Sequence, residues 1–240
     1  MRDAFADLLL GGCCAGCGGA GRVLCRDCAD RLPYGGHLTR PDPAPAGLPA
    51  VLAAGEYADP LRRLVLAHKE RQAFGLTAPL GCVLASVLVD AADLLAAPRE
   101  ALLVLVPVPS APAATRRRGH DPVLRMVRSA AGALAAAGRP VTVARMLRVV
   151  QPVADQAGLD AEARAANLAG RLGVGPRAHR ALAARSAHAA AGVLVVLCDD
   201  VLTTGATLSE AHRALRAVGV PAAVAVTLAA TRRRSAPKVL

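Results

Sequence analysis

Gly192 to Leu208 reads Gly-Val-Leu-Val-Val-Leu-Cys-Asp-Asp-Val-Leu-Thr-Thr-Gly-Ala-Thr-Leu, and this stretch decides the fold. Val193 to Cys198 is a short unbroken apolar run with three valines, the pattern of a strand buried on both faces of a parallel sheet, and the strand is expected to end there. Asp199 and Asp200 follow directly. Thr203-Thr204-Gly205-Ala206-Thr207 then leads into a helix whose Leu208, Ala211, Leu215 and Val218 keep helical spacing. Thr207 and Glu210 stand three apart as a capping box, and Gly219 is the expected stop.

Each piece of this turn has a chemical meaning. Backbone N–H groups at a helix N-terminus, a glycine that lets the chain approach closely, and three threonine hydroxyls together make a cradle for a phosphate dianion. Carboxylates repel phosphate, so Asp199 and Asp200 call for hydroxyl donors or a metal ion. A ribose 5-phosphate offers both kinds of contact at the right separation. The bland reading, a strand-to-helix turn in which Asp, Thr and Gly serve only as turn and cap residues, explains less of so long an ordered pattern.

Val196 to Leu208 resembles the phosphoribosyl pyrophosphate (PRPP) loop of type I phosphoribosyltransferases, and the rest of the chain resembles the ComF family, a zinc ribbon joined to such a domain. Family members usually carry an aliphatic residue where this chain has Cys198, and a cysteine packs there as a small hydrophobe. The implied fold is α/β: a type I phosphoribosyltransferase-like domain with a central parallel sheet, preceded by a small zinc-ribbon module. The expected divisions are a ribbon over 1–39, a proline-rich linker over 40–50, the transferase-like domain over 51–232 and a basic tail over 233–240.

The ribbon is legible in the cysteines. Cys14 and Cys17 form one C-x-x-C and Cys25 and Cys28 another, enough thiolates to close a tetrahedral zinc site. Cys13 offers an alternative first ligand at C-x-x-x-C spacing; Cys14 is preferred because its spacing mirrors the second pair. A closed four-cysteine site has no open position for catalysis, so it reads as a staple for a segment too small to own a core.

In the domain, Val51 to Tyr57 reads as a strand, Pro60 to Glu70 as a helix with a half-buried packing His68, and Thr77 to Ala96 as a longer helix. Gly55-Glu56-Tyr57, Leu61-Arg62-Arg63-Leu64 and Lys69 resemble the segment that opens the ComF transferase domain. Leu102 to Val106 is a buried strand leaving through Pro107, Val108 and Pro109 into Arg116-Arg117-Arg118-Gly119, which resembles the family's pyrophosphate loop and the segment after it. The guanidinium fork matches phosphate oxygens, so Arg118 is the favoured pyrophosphate contact, while Arg116 and Arg117 read as a solvated cluster. Asp121-Pro122 starts a helix to about Ala137, Val141 to Val150 reads as one strand, residues 173–191 as a loop or short helix, and Val220 to Leu228 as the last strand. Gln156, Arg164 and Asn167 resemble the family's flexible segment, implying a lid that excludes water, although Arg164 fits a helix surface equally well.

Composition bounds the partners. Among 240 residues and 54% apolar content there are no Trp, two Tyr and two Phe, so the core is built from Ala, Val and Leu, and a base-stacking surface is not expected. The net charge of +11 comes almost wholly from arginine, since only Lys69 and Lys238 are lysines, and this favours non-specific phosphate attraction over specific nucleic-acid recognition. No run of 18 apolar residues is evident, the Leu8 to Cys13 stretch lacks the flanks of a lipoprotein signal, and the cysteines show no disulfide framework; the expectation is a cytoplasmic protein without membrane insertion. A Walker-type hydrolase is excluded by the lack of G-x-x-x-x-G-K-[ST].

The family resemblance implies transfer of a phosphoribosyl group between PRPP and a nitrogenous acceptor, with Mg²⁺ accompanying the diphosphate. Asp199 and Asp200 would hold the ribose hydroxyls, Thr203, Thr204, Gly205, Ala206 and Thr207 the 5-phosphate, and Pro107, Val108, Pro109 and Arg118 the pyrophosphate. The alternative is a non-catalytic nucleotide-sensing or scaffold protein of the same fold, with DNA or DNA-processing proteins as partners, as the family's link to DNA uptake implies.

Overall fold

The computed structural model describes residues 12–150, 170–186 and 189–231. Gln156, Arg164, Asn167 and the basic tail lie outside them.

A six-stranded sheet forms the centre, in the order β1-β2-β8-β7-β3-β4. Its strands are β1 (His37–Thr39), β2 (Val51–Glu56), β3 (Leu102–Pro107), β4 (Val141–Val143), β7 (Val193–Leu202) and β8 (Val224–Ala230), all parallel except β1, which pairs antiparallel with β2. A second, two-stranded antiparallel sheet joins β5 (Leu147–Val149) to β6 (Leu172–Val174). The helices are α1 (Arg26–Asp30), α2 (Leu61–Glu70), α3 (Thr77–Leu94), α4 (Pro112–Arg118), α5 (Pro122–Ala136), α6 (Pro176–Ser186) and α7 (Ala206–Arg216). This is an α/β protein with a mostly parallel sheet, as the alternating strand and helix patterns imply.

Side chains alternate across the pleat, so each central strand feeds two cores. Leu103, Leu105, Val196, Cys198, Val224 and Val226 face α2, α3 and α5. Val104, Val106, Val195, Leu197 and Ala225 face α7 and α6. The helices that follow β3 and β7 therefore pack on opposite faces. Because β3 and β7 are neighbours, the chain turns away in opposite directions from their carboxyl ends, which opens a crevice at a topological switch point.

Several local expectations are corrected. Strand β7 does not stop at Cys198: β8 continues to Ala230 and pairs with it, Asp199 opposite Thr227 and Leu202 opposite Ala230. Val141 to Val150 is two strands in two sheets, with Met146 buried between them. The last strand starts at Val224 rather than Val220 and the segment after Pro109 contains α4, while residues 173–191 hold the expected short helix, α6, together with part of β6. His68 is nearly fully buried and hydrogen-bonds the Thr77 hydroxyl at 3.1 Å. Phe74–Leu94, although interrupted by Thr77, Ser86 and Asp90, is long and apolar enough overall to cross a membrane, and half of its most apolar part is buried in this fold.

Between Pro41 and Leu48 the chain lies along α7. The Ala46 carbonyl accepts from Ser209 Oγ at 2.6 Å and the Gly47 carbonyl from His212 Nδ1 at 2.8 Å, while Leu48 is buried.

Helices α3 and α5 cross where Gly81 meets Ser129. A Cβ at Gly81 would lie 2.5 Å from Ser129 Cβ and 3.1 Å from the Ala130 nitrogen, which no side-chain rotation relieves. Gly81→Ala should therefore lower stability by about 1–3 kcal/mol through overpacking, even though alanine is the better helix former by about 1 kcal/mol. Urea denaturation checks this, and an unchanged or higher midpoint would show that the helices separate at no cost.

Candidate functional site and metal centre

The four cysteine sulfurs of Cys14, Cys17, Cys25 and Cys28 all lie within 4.8 Å of one another, and Cys13, exposed, is not among them. Cys17 Sγ and Cys25 Sγ are 3.7 Å apart. A tetrahedron of Zn–S bonds of about 2.3 Å requires S–S edges of about 3.8 Å, so the cluster fits a zinc-sized ion. Local backbone shapes it. The Cys14 thiol accepts from the Cys25 N–H at 3.4 Å, and a Cβ at Gly16 would lie 2.8 Å from Cys28 Sγ, so only glycine admits the thiol. Burial pushes the Cys14 thiol up, yet N–H groups of Cys25, Cys17 and Gly16 outweigh it and bring it down to about 6. Burial and the neighbouring thiols push Cys28 up to about 12, so a full thiolate set needs a cation's charge.

The second constellation lies at the switch point. Strand β3 pairs with β7 only as far as Pro107 opposite Cys198, and the Val108 N–H closes the ladder on the Cys198 carbonyl at 2.9 Å. Asp199 and Asp200 come next on β7, where β3 no longer covers it. The Thr203 side of the turn is exposed, Thr204 and Thr207 are half-buried, and Gly205 and Ala206 are buried. Pro107 to Pro109, the acidic pair and the threonine turn are thus brought to one end of the sheet.

The turn differs in detail from a capping box. Gly205, at φ 77°, is the N-cap of α7, and a side chain there would meet Leu48 and Pro41 at 3.0–3.2 Å. Glu210 is turned away from Thr207: its carboxylate accepts from the Leu172 N–H at 3.0 Å and from Arg213 Nε at 2.7 Å, tying α7 to β6. The Thr204 hydroxyl faces the Ala206 N–H at 3.4 Å.

Charges on α2 reach both halves of the site. Lys69 Nζ donates to Asp200 Oδ2 at 2.6 Å, and Asp200 is buried. On the next residue, Glu70 Oε1 accepts from Arg118 Nη1 at 2.7 Å, where Arg118 has a side chain only 7% exposed. Arg116 and Arg117 are exposed. Gln72 Nε2 donates to the Arg118 carbonyl at 3.3 Å, and the His120 Nδ1–H donates to the same oxygen at 3.0 Å. Phe74 meets the His120 ring edge-on at 5.0 Å and lies under the Arg125 guanidinium at 4.2 Å. Sequence reasoning left Lys69, Glu70, Gln72 and His120 without a role in this site; the signal available was only a charged pair in the last turn of a helix.

The half-buried Asp199 accepts from the Asp200 N–H at 2.8 Å. Burial and then the Asp200 carboxylate raise its carboxyl to about 8, against a relief from Lys69. His68 on α2 is lowered to about 4 by burial and by the nearby His120 and Arg125.

No model of a known protein family matches the chain, and no curated protein matches it either. What stands established is a mixed α/β sheet carrying a four-cysteine cluster near the N-terminus, able to hold a metal such as zinc.

Two outcomes are expected. The purified protein should hold about one zinc per chain, lose it in Cys17→Ser and keep it in Cys13→Ser, as metal analysis reads directly; retention in the first variant or loss in the second rejects the ligand set. A folded-state Asp199 raised above its unfolded value keeps a proton that the unfolded chain has released, so stability falls as pH rises from about 4 through about 8. Asp199→Asn should therefore gain progressively on the parent protein as pH rises from about 4 to about 8, and a pH-independent difference in urea midpoints over that range overturns the assignment.

Proposed function

We propose that this chain is a ComF-like phosphoribosyltransferase-type protein that binds PRPP or a related ribose 5-phosphate at the carboxyl ends of β3 and β7. One observation carries the reading: an acidic pair and a Thr-Thr-Gly-Ala-Thr turn follow one another at the switch point of a parallel sheet, where ligands of such sheets bind.

In this reading the N–H groups of the turn and the first residues of α7, with the Thr203, Thr204 and Thr207 hydroxyls, take the 5-phosphate. Asp199 and Asp200 face the ribose hydroxyls; a neutral Asp199 donates as well as accepts, and Lys69 balances the Asp200 charge. Pro107 to Pro109 and Arg118 take the diphosphate. Mg²⁺ would be held by the diphosphate with Asp199 and Asp200 beside it, and would supply neutralisation of the diphosphate charge. Chemistry at C1 then needs no nucleophile from the protein. It rests on positioning and on charge stabilisation of the departing diphosphate.

Phosphoribosyl transfer to a nitrogenous acceptor is the expected activity. The alternative, a sensor or a scaffold for DNA or DNA-processing proteins, shares the ligand, and the charge of +11 is compatible with it through non-specific phosphate attraction.

Calorimetry with PRPP and Mg²⁺ should give saturable binding that falls at least tenfold when Asp199 and Asp200 are both replaced by Asn. Unchanged affinity in that variant removes the ribose assignment. Binding without turnover across a panel of bases and amines selects the sensor.

A further inference from the structure

We propose that Glu70 is a positioning residue that presents one edge of the Arg118 guanidinium to a phosphoryl oxyanion. The inference rests on the PRPP reading and names the part of the ligand that this corner of the site takes.

The geometry of the fork carries it. A guanidinium binds two oxygens of a carboxylate or phosphate through two parallel N–H groups, either Nη1 with Nη2 or Nε with Nη2. Glu70 accepts from Nη1 at 2.7 Å. Nε is buried and has no hydrogen-bond partner, so the Nε–Nη2 edge is left unengaged. A buried donor without a partner costs on the order of 1–3 kcal/mol, and such groups persist where something else is to fill them. His120 Nε2, the acceptor nitrogen of a ring whose Nδ1–H is spent on the Arg118 carbonyl, is buried and unpartnered in the same turn.

The surroundings hold Arg118 in place without using that edge. Its carbonyl is gripped by Gln72 and His120, and Gly119 reverses the chain directly after it at φ 72°. Gln72 itself adopts φ 55°, an uncommon conformation for a residue with a side chain, which brings its amide to α4. Lys69 and Glu70 are consecutive, and one holds Asp200 while the other holds Arg118, so the last turn of α2 sets the spacing between the acidic and basic halves of the crevice. Glu70 keeps a partly exposed carboxylate and can adjust as the anion enters, whereas Arg118 is fixed.

Ribose 5-phosphate and inorganic pyrophosphate with Mg²⁺ separate the two halves. The parent protein should bind both. Glu70→Gln and Arg118→Lys should each weaken pyrophosphate about tenfold and leave ribose 5-phosphate within about twofold, with thermal stability and circular dichroism unchanged in Glu70→Gln. Equal loss of both ligands makes Glu70 merely structural, and tighter pyrophosphate binding in Glu70→Gln makes it a competitor for the arginine; either overturns the proposal. A parent protein that binds ribose 5-phosphate but not pyrophosphate overturns it too while sparing the sugar-phosphate site. Binding of neither ligand by the parent protein sinks the PRPP reading itself.

Discussion

The site depends on two parallel strands of unequal length. Strand β3 runs out at Pro107, and its last rung is the Val108 N–H on the Cys198 carbonyl. Strand β7 goes on for four more residues because β8 still pairs with it on the other side. Asp199 and Asp200 therefore sit on a strand with one edge uncovered, in a place where a carboxylate is partly desolvated yet reachable. A pair of acids so close in a low-dielectric setting cannot both ionise cheaply. The fold answers one with Lys69 and leaves the other with a raised affinity for its proton.

Much of this was legible. An apolar run from Val193, too short for a helix and rich in β-branched residues, has few homes other than the middle of a parallel sheet, and Thr-Thr-Gly-Ala-Thr before spaced Leu208, Ala211 and Leu215 announces a helix start. The cysteine spacing likewise chose Cys14 over Cys13. What the sequence concealed was set by partners distant in the chain. The extension of β7 depends on where β8 happens to end, and no property of Val201 or Leu202 reports it. Glu210 stands at capping-box spacing, but the Leu172 N–H and Arg213 compete for its carboxylate and win. Arg118 looked like a loop residue beside two solvated arginines; it is buried, with its guanidinium on Glu70, 48 positions earlier in the chain.

The cysteine module leans on the N-terminal end of the same helix, α2, and on the segment that precedes α3. A Cβ at Gly75 would come within 2.7 Å of Val23 Cγ1, Gly16 lies against Pro60, and the Gly16 carbonyl accepts from Arg63 Nη1 at 3.4 Å. Val23 and Leu24 also pack on the core that α2 and α3 share. A segment with so few apolar residues cannot hold this shape by burial alone, so the metal-sized cluster and the α2 surface support it jointly.

Cys198 has one more consequence. Its thiol is fully buried in the middle of the sheet, reaches only the Val196 carbonyl at 3.7 Å, and burial pushes its ionisation upward. Alkylating reagents attack thiolates, so this sulfur stays silent for as long as the central strands remain zipped. Cys82 and Cys13, on the surface, report nothing of the interior. The buried sulfur at the foot of the acidic pair is thus a built-in clock for the opening of the sheet, in a chain that has no tryptophan to serve as one.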